Sequence, residues 1–160
     1  MTVAVRPAHT SELGLIGELT VAAYAEFVSP EHRYADHLRD AVTRAREAEL
    51  YVALLDEVLV GTVTYCRQGS PWGEIAQPGE GEFRMLAVRR AARGRGVAEA
   101  LVSLCLERSR ELGYHAVVLS TLPEMAGAHR LYERMGFRRL PDRDWSPEED
   151  VELISFYLSF

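Results

Sequence analysis

Between Glu82 and Ser120 the chain changes its periodicity twice, and this constrains the fold more than any other feature. Glu82 to Val88 reads as a strand. Val97 to Leu112 reads as an amphipathic helix with Val97, Leu101, Leu104 and Leu112 inward, and Gly113 stops it. His115 to Ser120 is an apolar run of the kind found in a central strand. Two strands joined through a helix lie parallel in one sheet. Upstream, Leu50 to Leu55 and Val58 to Tyr65 flank Asp56-Glu57 and read as an antiparallel hairpin. One sheet holding both arrangements must be mixed.

The rest of the pattern surrounds that sheet. Thr2 to Arg6 is a short strand closed by Pro7. Thr10 or Ser11 caps a helix with Leu13, Ile16, Leu19 and Ala23 along one stripe. Pro30 ends that unit, and a second helix follows from about Glu31 to Glu47, with Leu38, Ala41, Val42 and Ala45 on one face. Gln68 to Gly81, rich in Gly and Pro, is a loop. Met125 to Met135 is a helix ended by Gly136. Phe137 to Arg139 and Val151 to Leu158 are strands. The 160 residues suit one domain over 1–160, of α/β (α+β) class.

Composition removes several functions. The 24 acidic residues outnumber the 18 basic ones, which argues against a nucleic-acid partner. All 18 basic residues are arginine, so mechanisms that need a lysine are excluded. Cys66 and Cys105 have no paired spacing and suggest a reduced, cytoplasmic protein. The N-terminus lacks the apolar stretch of a signal peptide, and no run is long enough for a membrane span. His32 and His37 do not share a helix face and no carboxylate motif joins them, so no metal site is expected.

The stretch between the first parallel strand and its helix is the local anomaly. From Arg84 to Arg95 there are five arginines and no acid. A helix N-terminus adds unpaired N–H groups and partial positive charge, and glycine lets backbone approach a ligand closely. Together they make an anion seat. GxGxxG fails here because Glu99 stands at the third glycine position, and the phosphate loop fails for want of lysine.

Arg93-Gly94-Arg95-Gly96-Val97-Ala98 resembles the acetyl-CoA signature of the GNAT N-acetyltransferases, and "AHRLYERMGF" resembles their second signature through Ala128, Tyr132, Gly136 and Phe137. The element order is similar too. The resemblance implies a mixed central sheet of about six to seven strands flanked by about four helices. It implies N-acetyl transfer from acetyl-CoA to a primary amine by direct attack in a ternary complex. The alternative is a non-catalytic acyl-CoA-binding regulatory module of the same fold.

By that resemblance, the backbone of Gly94 to Ala98 holds the CoA pyrophosphate, with charge added by Arg93 and Arg95. Leu86, Ala87 and Val88 pair with the pantetheine arm. Tyr132 is the general acid for the departing thiolate. Glu82 is the general base, with Glu80 as its competitor. Tyr24, Phe27, Tyr34 and Trp145 line the acceptor site. Arg84 could lower the pKa of Glu82 or steer an acidic substrate. The acceptor is a small-molecule amine or a peptide amine. Many members carry asparagine where Met125 stands, which removes one pantetheine contact. The apolar final strand could pair across a homodimer.

Overall fold

The computed structural model describes residues 2–160. Eight strands form one sheet in the order β1-β2-β3-β4-β5-β8-β6, with β7 also pairing to β8. The strands are β1 (Val3–Pro7), β2 (Glu49–Leu55), β3 (Val58–Cys66), β4 (Glu80–Val88), β5 (Ala116–Thr121), β6 (Arg138–Arg139), β7 (Trp145–Glu148) and β8 (Val151–Ser159). The β4–β5 pair is parallel and every other pair is antiparallel. The sheet is therefore mixed, as the sequence pattern implies. β7, in the Pro- and Asp-rich segment around Trp145, is one strand more than the pattern gives.

Five α-helices cover the two faces: α1 (Leu13–Tyr24), α2 (Arg33–Arg39), α3 (Ala41–Glu47), α4 (Val97–Glu111) and α5 (Ala126–Arg134). One core joins α1, α2 and α3 to the sheet through Ile16, Leu19, Leu38, Val52 and Met85. The other joins α4 and α5 through Leu101, Cys105, Val117, Leu131 and Phe156. Cys66 and Cys105 are free and buried. Among the described residues no helix is long and apolar enough to cross a membrane.

Asp56 and Glu57 take φ of 49° and 70°, the two left-handed residues of a tight hairpin turn. The helix expected over Glu31–Glu47 is instead two. Asp40 breaks it, with φ −82° and ψ 65°, and its carboxylate accepts from the Thr43 N–H at 3.1 Å to cap α3. The break changes which face is inward. Ala41 and Arg44 are buried, whereas Val42 is 56% exposed, contrary to the expected stripe. Leu104 and Leu112 are half-buried rather than fully inward.

The segment between β3 and β4 is not a free loop. Ser70 Oγ donates to Glu47 O at 2.8 Å, and Trp72 Nε1 donates to Glu47 Oε1 at 3.0 Å. Arg143 Nη1 donates to Ile75 O at 3.1 Å. These bonds tie the segment over the end of the sheet.

Candidate active site

The candidate site lies where β4 and β5 part. They pair only from Glu80 opposite Ala116 to Phe83 opposite Leu119. Beyond that point β4 continues to Val88 bonded to β3 alone. The cause is a bulge. Thr62 and Thr64 of β3 face Ala87 and Arg84, so two steps on one strand span three on the other. Met85 carries the kink at φ +56°, a left-handed conformation costing a non-glycine residue about 1–2 kcal/mol. Such strain persists where the surroundings over-determine it.

The bulge also shifts the strand's faces. Simple alternation puts Phe83, Met85 and Ala87 together. In the structure Phe83 packs toward α4 and α5, whereas Met85 and Ala87 pack toward α1. Leu86 and Val88 lie against the α4 side. The regular period of two fails because one residue is inserted.

The opening forms a small cleft, partly open to solvent. β4 contributes Arg84, Met85 and Leu86, and β5 contributes Ser120 and Thr121. Tyr24 closes one side, and Met125, Ala128 and Tyr132 close the other. Tyr132 is 3% exposed and packs against Phe83, Phe137 and Phe156, with ring centroids 5.8 to 6.0 Å apart. Burial pushes its hydroxyl pKa well above the usual tyrosine value, so it stays protonated. Burial does the same to Tyr24, aided by Tyr34 and Tyr132.

The arginine and glycine turn opens α4 at the far end of β4. Gly94 and Gly96 have φ of +78° and +80°, and nothing lies within 4 Å of where a Cβ would stand. Backbone there is open on its outer side, as an anion seat requires. Val97 is buried and Ala98 half-buried, which fixes the first turn to the core. Arg93 is exposed and pairs with Glu26 at 3.2 Å, and Arg90 pairs with the same carboxylate at 2.6 Å. Arg95 is exposed on the same turn. Leu86 lines the cleft, and Ala87 and Val88 follow it on the part of β4 that has left β5.

Glu82 is fully buried and lies outside the cleft lining. Its Oε1 accepts from the N–H groups of Glu74, Ile75 and Ala76 at 2.9, 3.0 and 3.0 Å. Its Oε2 is buried with no hydrogen-bond partner. Burial raises its pKa despite those N–H groups and the nearby Arg84. Glu80 differs. Burial works against its charge, but the bidentate Arg143 and the Gln77 N–H outweigh that and lower its pKa.

Among the expected acceptor-site aromatics, Tyr24 lines the cleft and Tyr34 is buried on α2. Trp145 donates through Nε1 to Ser120 Oγ at 2.8 Å, and the Arg84 guanidinium stacks 5.2 Å from its ring. Phe27 is 38% exposed and does not line the cleft. Sequence reasoning missed Arg44, Trp72, Ser120 and Thr121. Among the described residues no group of three or more His, Cys, Asp or Glu could hold a metal ion.

Comparison with known proteins gives a consistent result. A model of the acetyltransferase (GNAT) family matches residues 16–137. N-acetylaspartate synthetase of Danio rerio is 40% identical over 63 residues, which are 39% of this chain and 22% of that protein. The chain spans from 22% to 59% of the lengths of curated relatives with which it aligns. A GNAT acetyltransferase from Staphylococcus aureus Mu50 superposes with a TM-score of 0.77 at 15% identity, covering 99% of each chain. The PaiA N-acetyltransferase of Thermoplasma acidophilum, solved in complex with coenzyme A, superposes with a TM-score of 0.72 at 13% identity over 100% of both chains. These two solved structures share the fold.

Proposed function

Since the chain belongs to the acetyltransferase (GNAT) family, we propose that it moves an acetyl group from acetyl-CoA to a primary amine by direct attack in a ternary complex. The observation that carries this reading is Tyr132. Its buried, protonated side chain projects from α5 into the lining of the cleft where β4 leaves β5, and β4 leads on to the open glycine turn. The coenzyme A complex of the PaiA neighbour supports the same cosubstrate. The zebrafish relative is named for N-acetylaspartate, an acetylated amino acid, which supports amine acetylation.

The residues fit acetyl-CoA, which supplies the acetyl group as a thioester. The α4 N-terminus with Gly94 to Ala98 suits its pyrophosphate, with Arg93 and Arg95 adding charge-assisted contacts. Leu86, Ala87 and Val88 suit the pantetheine amides, because that length of β4 has no β5 partner. As the new C–N bond forms and the C–S bond breaks, Tyr132 gives its proton to the departing sulfur. The surplus proton of the amine passes through water to Glu82, which lies outside the cleft lining and whose Oε2 has no hydrogen-bond partner. Each such transfer is worth roughly 10²- to 10⁴-fold in rate.

Two measurements test the proposal. Isothermal titration at low salt should show acetyl-CoA binding, and a thiol-release assay should show turnover against a diverse amine panel. No binding ends the reading. A second reading, an acyl-CoA-binding module without catalysis, draws on Met125, which lines the cleft where many members carry asparagine. Binding with no turnover on any amine would select that second reading.

A further inference from the structure

Resting on the acetyltransferase reading, we propose that the acceptor is a free amino acid, an amine with a carboxylate close to it, and that Arg84 seats the carboxylate. Among the described residues lining the cleft, Arg84 alone is charged at neutral pH and none is a carboxylate. Arg84 is also 94% buried, since its exposure is 6%. Its Nη1 donates to Trp72 O at 3.1 Å, and its nearest ion pair, to the partly exposed Glu74, is a loose 3.9 Å.

A second buried cation stands behind it. Arg44 is fully buried. Its Nη1 donates to the carbonyls of His37 and Leu38, while Nε and Nη2 are buried with no hydrogen-bond partner. Among the described residues no carboxylate lies within 4.0 Å of it. Its guanidinium sits 5.8 Å from the ring of Trp72, the residue whose carbonyl holds Arg84. Tyr24, on the cleft wall, feels the charge of both arginines. The field of two buried guanidinium groups thus converges beside the proposed acid. Buried charge without a close counter-ion is costly, and a bound carboxylate offsets that cost.

The acids nearby do not reverse this sign. Glu82, beside Arg84, has one oxygen on the N–H groups of Glu74, Ile75 and Ala76, and burial disfavours its charge; Glu74 is exposed and stands 3.9 Å from Arg84. Glu26 is taken by Arg90 and Arg93, Glu148 by Arg33 and His37, Asp150 by His32, and Asp36 by Arg39. An acceptor with surplus positive charge would meet only Arg84 in the cleft. An amino acid gains twice. Its carboxylate takes charge-assisted bonds from the guanidinium, and its amine, held near a cation, loses its proton more readily before attack.

The test compares the standard amino acids with their C-terminal amides, phosphoethanolamine and spermidine in the thiol-release assay. Amino acids should be turned over, and amidation should lower kcat/KM roughly 10- to 100-fold, the worth of a hydrogen bond to a charged group. The amide's amine is less basic and more of it is neutral, so chemistry alone would favour the amide. Arg84→Gln should erase the preference, and Arg84→Lys should restore part of it, with acetyl-CoA titration reporting that each variant is folded. Equal or better turnover of amides overturns the proposal, as does turnover of phosphoethanolamine or spermidine while amino acids are inert. Titration of amino acids into the CoA-saturated protein separates the two readings. Amino-acid binding without turnover keeps the carboxylate seat and ends the acetyltransferase reading. Loss of both binding and turnover ends the seat.

Discussion

Gly17 lies inside α1, where alanine ordinarily strengthens a helix by about 1 kcal/mol. Here the sign should reverse. A Cβ at Gly17 would fall on the carbonyl oxygen of Arg39, with the Arg39 carbonyl carbon at 3.1 Å and its Cα at 3.4 Å. That obstacle is backbone, which cannot rotate away as a side chain can. α1 is fixed to the sheet by the fully buried Ile16 and by Leu19, so the end of α2 has to move. Overpacking of this kind costs about 1–3 kcal/mol. After the propensity gain, Gly17→Ala should be destabilised by up to about 2 kcal/mol, a fall in Tm of several degrees at roughly 2–4 °C per kcal/mol. Gly14→Ala is the internal control. Nothing lies within 4 Å of its Cβ position and it is exposed, so it should be neutral or stabilising by up to about 1 kcal/mol. Urea unfolding of both variants, followed by circular dichroism, measures the difference. The movement also reaches the site, because α2 carries Tyr34 and the carbonyls of His37 and Leu38 that hold Arg44. Gly17→Ala should therefore raise KM for the acceptor more than KM for acetyl-CoA. A Gly17→Ala protein as stable as Gly14→Ala would refute the close contact between α1 and α2.

Three further outcomes follow from the site. Tyr132→Phe should lower kcat by roughly 10²- to 10⁴-fold with little change in acetyl-CoA affinity; unchanged turnover in single-turnover kinetics would return Tyr132 to a packing role. Glu82 has its folded pKa raised by burial, so the folded state holds the proton longer than the unfolded state. Wild-type stability should then fall relative to Glu82→Gln as pH rises from the ordinary glutamate range through the raised value, and the gap should close at lower pH. Thermal melts of both proteins across pH 4 to 8 read this. If Glu82 is the base, the acidic limb of kcat/KM should sit above the ordinary glutamate range and vanish in Glu82→Gln. Arg143→Ala should cost about 3 kcal/mol by stranding the buried Glu80 carboxylate. Glu80 has a lowered pKa, so the wild-type advantage should be full at neutral pH and shrink as pH falls through the carboxylate range.

The seat expected for the cosubstrate was legible in the sequence because it is nearly contiguous. Strand, glycine turn and helix N-terminus run from Arg84 to Ala98, and each has a local signature in residue type. Tyr132 lies on the next helix, at a spacing the second motif fixes. The division of β4 into two faces was not legible. Nothing in "EFRMLAV" marks Met85 as left-handed, because Met has none of the local preference for that conformation that Gly, Asn or Asp has. The bulge lies in the pairing of β4 with β3 at Thr62–Thr64, a partner distant in sequence, and β5 leaves β4 beside it. Period-two reasoning fails at one inserted residue.

Arg44 shows why the acceptor side resists the same treatment. In one continuous helix from Glu31 to Glu47, the stripe Leu38, Ala41, Val42 and Ala45 would face inward. At 100° per residue Arg44 would then lie roughly 110° from the centre of that stripe, on its flank. The break at Asp40 rolls α3 by roughly a quarter turn, which buries Ala41 and Arg44 and turns Val42 outward. Asp40 supplies both halves of the cause, since its ψ of 65° ends α2 and its side chain caps α3. The sequence does hold a cue. Asp40 stands three residues before Thr43, the geometry of a helix cap, inside what otherwise reads as one helix. Read as a cap, Asp40 makes a new helix start at Ala41, which alters the phase of every residue after it. The burial of a second arginine behind the cleft, and with it part of the positive charge offered to the acceptor, therefore depends on one capping aspartate.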